Sequence, residues 1–384
     1  MKSVISQALK QYGLLLALVV IVVLFQVLTK GLLLNPNNVA SLIQQNAYVM
    51  ILAIGMVMVI VARHIDLSVG SVVAFVGGVV ALLMYDLQLP WFPAVLVGVA
   101  IGALIGCWQG FWVAYVGIPA FIVTLAGMLI FRGLAIVLVE RTVSGLPTGF
   151  VKIANGSVPN SFGFVGQLDV MTLAIGLMTI VALAVVQFRG RAVRAREGMA
   201  ESMGLFLGRL ILISALIGYL AYLLALSAGG TPIILVIIGF LVIVYTFIMN
   251  YTRFGRHVYA VGGNLKAAQL SGIRTKRVDF LVFVNMGVLS AFAGIVTTSR
   301  AGAAVATAGN TYELDAIAAA YIGGAAVSGG IGKVSGAIVG ALVMGVINMG
   351  LSILSVDSAY QQAIKGLVVL FAVAFDLATQ KRRS

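Results

Sequence analysis

The sequence predicts an all-α polytopic membrane protein with about 12 transmembrane helices, an inverted repeat, and both termini in the cytoplasm. Three observations predict it. Of 384 residues, 61% are hydrophobic and only 9% are charged, whereas a soluble domain carries about a quarter charged residues. The apolar residues form long continuous runs and lack the alternation of a transmembrane barrel. The basic residues collect in the gaps between runs, as topology-setting loops require. The same distribution accounts for the net charge of +13 without a nucleic-acid partner.

From the N-terminus, Lys2 and Lys10 precede an apolar run from Leu14 to Leu28. That run is too long for a signal-peptide core and lacks a convincing cleavage site, so it is expected to be a retained first span. Candidate spans follow at 12–34, 47–62, 67–85, 91–115, 118–139, 170–188, 208–228, 231–250, 278–299, 312–327, 334–355 and 360–377. Those at 47–62 and 312–327 are short and are expected to be tilted, broken or partly re-entrant. With the N-terminus inside, Arg63 and His64, the linker 189–207 with Arg189, Arg191, Arg194, Arg196, Glu197 and Glu201, the loop 251–277, and the tail Lys381, Arg382 and Arg383 all fall inside. The long 140–169 loop, whose basic residues are Arg141 and Lys152, falls outside. One orientation therefore satisfies the positive-inside rule.

Two halves of the chain resemble each other. NNVASLI (37–43), Arg63, IDLSVGSVVAFVGG and IFRG recur in order as NLKAAQLSG (264–272), Arg300, LDAIAAAYIGG and IKG. Asp66 matches Asp315, and Arg132 with Gly133 matches Lys365 with Gly366. Asp66 begins a span from inside and Asp315 begins one from outside, so the repeat is inverted. Such repeats place a pathway near the membrane midplane. The expected organisation is a single transmembrane domain, 1–384: a first span at 12–34, repeat one at 47–139, connecting spans within 170–250, a cytoplasmic loop at 251–277 and repeat two at 278–377.

The loop YTRFGRHVYAVGGNLKAAQLSGIRTK (251–276) is the longest polar interruption in the second half. Asn264 can cap a short helix of Lys266, Ala267, Ala268, Gln269 and Leu270, which Gly272 can stop. Its face of Ala267, Leu270 and Ala268 reads as a knob for a cytoplasmic partner, or the stretch is an ordinary positive-inside loop.

Several chemistries are excluded. GGAAVSGGIGK (323–333) mimics a phosphate loop, but Lys333 is followed by Val334 where Ser or Thr is needed. Energy must come from a partner or an ion gradient. Cys107 is the only cysteine and lies in an apolar run, so a disulfide framework within the chain is impossible. No metal, cofactor or enzymatic motif is expected, and His64 and His257 sit at cytoplasmic borders. Glycines four apart (Gly98, Gly102, Gly106; Gly332, Gly336, Gly340) let helix backbones approach closely. Arg63, Asp66, Arg132, Arg300, Asp315 and Lys365 lie within or beside spans. They read as paired structural charges or as part of a polar pathway.

FGRHVYAVGGNLKAAQLSGI closely resembles the cytoplasmic loop of the ABC importer permeases for monosaccharides, the ribose, xylose and multiple-sugar class. ARHIDLSVGS (62–71), IPAFIVTLAGMLIFRG (118–133), ELDAIAAAYIGGAAVSGGIGKVSGAIVGAL (313–342) and IKGLVVLFAVAFD (364–376) extend the resemblance over nearly the whole chain, closest to the xylose and multiple-sugar branch. The resemblance implies a bacterial inner-membrane homodimer with cytoplasmic ATPase subunits and a periplasmic sugar-binding protein. It implies ATPase coupling through Gly263, Asn264, Lys266, Ala267, Ala268, Leu270, Ser271 and Gly272. Ribose-type members have fewer helices between the repeats, so two of the connecting spans look like an insertion. By the repeat, NPNNVASLIQQN (35–46) is the outside counterpart of the coupling helix, and Asn37, Asn38 and Ser41 are expected to receive the binding protein. A neutral polyol needs a weak hydrogen-bonding lining, which Ser68, Thr124, Asn285, Asn310 and Asn348 can supply, with Phe121 stacking on a sugar face. Two alternatives remain: an ion-coupled secondary transporter, and an ABC importer permease for a nucleoside, polyol or signalling furanone.

Overall fold

The computed structural model describes the backbone of residues 2–196, 198 and 201–381, and the side chains within that range from 13 to 371 and at 373 and 374. Glu197, Arg382 and Arg383 lie outside the described residues, as do the side chains of Lys2, Lys10 and Lys381. Sixteen α-helices carry the described fold: α1 Lys2–Leu28, α2 Pro36–Gln45, α3 Ala47–Val61, α4 Val69–Tyr85, α5 Trp91–Phe111, α6 Ala120–Leu138, α7 Thr148–Asn155, α8 Val170–Arg196, α9 Met203–Leu226, α10 Ile233–Tyr251, α11 Arg253–Gly263, α12 Leu265–Leu270, α13 Thr275–Ala301, α14 Tyr312–Ile322, α15 Val334–Ile353 and α16 Ser358–Lys381. Four two-residue strands form two antiparallel pairs, β1 (Val143–Ser144) with β4 (Ala303–Ala304) and β2 (Phe164–Val165) with β3 (Leu168–Asp169). The protein is all-α in substance.

Helices occupy each of the twelve apolar segments. Among the described residues, seven of them are long and apolar enough to cross a membrane unaided: α5 with its π-helical end Trp112–Val116, α6, α8, α9, α10, α13 and α15. The pair α2 and α3, bent by 45°, meets the same test jointly and makes eight. Of the dozen crossings expected, the other four segments do not meet the test: α4 has 17 residues and α14 has 11, while α1 and α16 lie partly outside the described side chains. The chemistry at the breaks is legible. Pro36 begins α2 and Pro119 precedes α6, where a missing N–H costs nothing. Gly117, at φ +88°, ends the π-helical turn in a conformation that favours glycine. The 140–169 loop is not featureless, since it holds α7 and three of the four strands. The linker expected at 189–207 is mostly helical, because α8 continues to Arg196 and α9 begins at Met203.

The chain divides into two compact units. The first comprises residues 1–33, 42–155 and 234–384. Its axis is α13, which packs on α3, α4, α5 and α7. The contact with α5 is backbone on backbone. A Cβ on Gly102 would meet the Gly287 carbonyl, one on Gly106 the Phe283 carbonyl, and one on Gly287 the Gly102 carbonyl. Gly340 approaches the Ala319 carbonyl in the same way, joining α15 to α14. Small residues thus supply the van der Waals contact that lipid gives no drive for. The α3 helix, residues 47–61, is buried at every position but Tyr48. The helix pairs of this unit exchange symmetrically: α13 packs on α4 and α3 on α14, α13 on α5 and α3 on α15, α4 on α6 and α14 on α16.

The second unit comprises residues 34–41 and 156–233. Helices α8 and α9 form a hairpin in which Gly176 receives Ala221. At one end, the Arg209 guanidinium holds Glu201 at 2.6 Å. Arg191 and Arg209 both lie against the buried Phe206 ring, 5.4 and 5.8 Å from its centroid. At the other end, the Asp169 carboxylate accepts from the Thr172 amide, and the Thr172 hydroxyl accepts from the Thr231 amide.

Candidate functional site

The polar loop folds into α11 and α12. Thr252 caps α11, accepting from the Gly255 amide, and Asn264 caps α12, accepting from the Ala267 amide at 3.0 Å. Gly272, at φ +81°, follows the helix end, and the Ser271 hydroxyl donates to the Ala267 carbonyl. This is the expected cap-and-stop pattern. The outward face is Leu265, Lys266, Ala267 and Leu270, with Leu270 90% exposed. Ala268 differs from expectation: it is buried, turned inward beneath the helix, so it anchors the knob and does not form its face.

The root of this knob is fixed to three segments of the first unit. The Arg63 guanidinium, just past α3, donates to the Gly263 carbonyl at 2.8 Å. The Gly330 amide donates to the Val61 carbonyl at 2.9 Å. The Tyr259 phenol of α11 donates to the Gly332 carbonyl at 2.7 Å, and burial pushes its pKa above the usual phenol value, keeping it a donor. A Cβ on Gly262 would collide with the Val61 carbonyl and the Gly330 amide. The GGAAVSGGIGK run therefore works as a packing loop that clasps the α11–α12 junction, and not as a phosphate cradle.

At the opposite ends of α3 and α13 lies a crevice of about 170 Å³, where Val296 and Ala301 stand beside the polar groups of Gln44, Gln45, Tyr48, Thr297, Arg300 and Tyr312. The Tyr48 and Tyr312 rings stack with centroids 3.5 Å apart. The Tyr48 phenol donates to Asp315 Oδ2 at 2.7 Å, and Lys365 reaches the same oxygen at 3.0 Å. Arg300 donates to the side-chain carbonyl of Asn155, whose amide donates to the Ser299 and Arg300 carbonyls at 3.1 Å. The Ser299 hydroxyl donates to the Phe150 carbonyl and accepts from the Ala154 amide, pinning α7 over the end of α13.

Of the six charges expected to pair, only Asp315 and Lys365 do so among the described residues, with each other. Arg63 and Arg300 satisfy amide oxygens, as above. Arg132 donates to the Ala306 and Ala308 carbonyls at 2.9 and 2.7 Å. Asp66 accepts from the Ser68 amide and hydroxyl at 2.8 and 2.6 Å. The physical reason is shared. These side chains reach helix ends and non-helical segments, where carbonyls and amides lack intrahelical partners and claim the nearest side chain.

The expected pathway residues do not converge. Ser68 and Thr124 meet at the α3–α4 break, where Gln109 donates to Ser68 and Thr124 donates to the Ile65 carbonyl. Asn348 donates to Asn46 at the α2–α3 bend. Asn285 accepts from Tyr245 on α10. Phe121 and Asn310 are exposed. On α2, Asn37 is exposed and accepts from the Ala228 amide within the second unit, while Asn38 and Ser41 are half-buried. The crevice residues Gln44, Gln45, Tyr48, Thr297 and Tyr312 were missed, because their separation in sequence conceals that α3, α13 and α14 bring them together.

Comparison with known proteins finds a match to a family described as branched-chain amino acid transport system / permease component over residues 38–373. The chain is 38% identical over 378 residues to the xylose transport system permease protein XylH of Escherichia coli, covering 98% of this chain and 94% of that protein. It is 37% identical to XylH of Haemophilus influenzae, covering 98% of both. It is 32% identical over 362 residues to the ribose import permease protein RbsC of Escherichia coli, covering 94% of this chain and 92% of that protein. No solved structure matches.

Proposed function

The chain belongs to the branched-chain amino acid transport system / permease component family, and on that premise we propose that it is the membrane-spanning permease subunit of an ATP-driven importer for a monosaccharide, xylose first. Near-full-length identity to proteins named for xylose and ribose transport favours a sugar over the amino acids of the family's description. The protein sits in the bacterial inner membrane as a multi-pass permease and performs no covalent chemistry of its own.

The observation that carries the reading is the α12 knob. It presents Leu270 almost fully to solvent, while its root is bonded to the end of α3 and to the 323–333 loop. An exposed leucine alone is ordinary; what favours a docking role is its place at the tip of a capped helix whose root is anchored to two other segments, a rigid projection that a pocket on an ATPase subunit could receive. We read α12 as the coupling helix, with Leu270 and Ala267 at its face and Asn264, Ser271 and Gly272 fixing its ends. ATP-driven closure of two such ATPases, bound to a homodimer of this chain, would reorient the two halves in alternating access. The exchange of packing partners between α3–α6 and α13–α16 supports an inverted repeat. The basic residues of the loop 251–277, Arg253, Arg256, Lys266, Arg274, Lys276 and Arg277, support placing it and both termini in the cytoplasm.

Leu270→Arg is expected to abolish co-purification of the ATPase subunit from native membranes while the permease itself accumulates normally. Loss of a central anchor costs about 2 kcal/mol or more, roughly thirtyfold in affinity. A wild-type chain that brings down no ATPase would overturn the importer reading and favour ion-coupled transport. The outer segment 35–46 is proposed to receive the sugar-binding protein. Charged replacements at Asn38 and Ser41 are then expected to cut binding-protein-dependent uptake severalfold with ATPase binding intact, and unimpaired uptake would refute that docking role.

A further inference from the structure

We infer that the crevice between the starts of α3 and α14 and the end of α13 is a direct binding site for a neutral polyol on the permease itself. The inference rests on the reading of the chain as a monosaccharide permease. At about 170 Å³ the crevice is smaller than the roughly 300 Å³ or more of drug-sized pockets, a size suited to one small ligand. Its chemistry suits hydroxyl groups, which donate and accept together. Gln44 and Gln45 offer amides that do both. The Thr297 hydroxyl sits beside the Tyr312 phenol without a partner of good geometry. Arg300 uses one nitrogen on Asn155 and leaves its buried Nε unpaired. Buried polar atoms left this way are costly and invite a ligand to complete them. No carboxylate lines the crevice, and Asp315 is screened behind Tyr48 and held by Lys365. The stacked tyrosines supply an aromatic wall, against which the C–H face of a sugar packs. In the proposed orientation the crevice opens outward, where a binding protein would release its sugar.

Cysteine protection tests this without an ATPase. Thr297→Cys, in a Cys107→Ala background, is labelled in membranes with an impermeant maleimide from outside. D-xylose is expected to slow labelling about threefold at twice its dissociation constant, because protection follows occupancy. Gln45→Cys at the exposed rim repeats the measurement if Thr297→Cys fails to accumulate. Phe162→Cys, exposed in the other unit, should label at an unchanged rate. Labelling of both crevice cysteines indifferent to saturating D-xylose, or equal slowing at Phe162→Cys, would overturn the site. Protection by D-xylonate at lower concentration than by D-xylose would overturn the neutral ligand class in favour of an anionic one that pairs with Arg300. A chain that binds no ATPase yet shows xylose protection would refute the importer reading and leave the site standing.

Discussion

Gly262→Ala is expected to abolish uptake and sharply lower the yield of folded protein, whereas Gly263→Ala, one residue on, is expected to be nearly silent. The contrast is steric. A single methyl on Gly262 meets the Val61 carbonyl and the Gly330 amide, both backbone atoms that cannot rotate away. A methyl on Gly263 meets nothing within 4 Å. Overpacking against side chains costs about 1–3 kcal/mol, and against two backbone strands it should reach or exceed the upper end of that range. Separating α11 from Val61 would also break the Gly330–Val61 hydrogen bond and displace the Tyr259–Gly332 contact. The check is the thermal midpoint of each variant in detergent beside its uptake. Equal midpoints for the two variants would show that the junction is looser than described.

Lys365→Met is the second large effect. Asp315 is fully buried, and its Oδ2 is shared by Lys365 and Tyr48 while Oδ1 has no hydrogen-bond partner. Removing the ammonium leaves a buried carboxylate supported by one phenol, at a cost of about 3–5 kcal/mol. Because α16 packs chiefly on α14, that loss should first show as detachment of α16, read by proteolysis or hydrogen exchange there. The double variant Asp315→Asn with Lys365→Met removes both charges and should recover most of the loss. A double variant no better than the single one would mean that Lys365 acts through packing of its alkyl stem.

Much of this was legible in the sequence, and the remainder divides by cause. Continuous apolar runs located every long helix, because their length and composition depend on no tertiary partner. The Asn264 cap and the Gly272 stop were legible because caps are local. Arg300, Arg132 and Arg63 were recognisable as costly charges, but their partners were not. Those partners are the Asn155 amide and the carbonyls of Ala306, Ala308 and Gly263, and a carbonyl is present at every residue. Charge matching pointed instead to carboxylates. Ala268 was placed on the wrong face because a six-residue helix does not declare its inner side. Gly262 was passed over for its neighbour for the same reason: only the position of Val61 distinguishes the two.

The burial of α3 along its whole length gives it a mechanical meaning. Its 15 residues make a rod of about 22 Å. One end is tied to the α11–α12 elbow through Arg63 and to the 323–333 loop through Val61, and the other carries Tyr48 into the crevice. A rod buried at every position but Tyr48 bends little, so under the proposed coupling a stroke delivered at Leu270 would arrive at Tyr48 as displacement rather than be absorbed as strain along the way. On the proposed reading, one short helix would then serve as a crankshaft between the place where fuel is spent and the place where cargo waits.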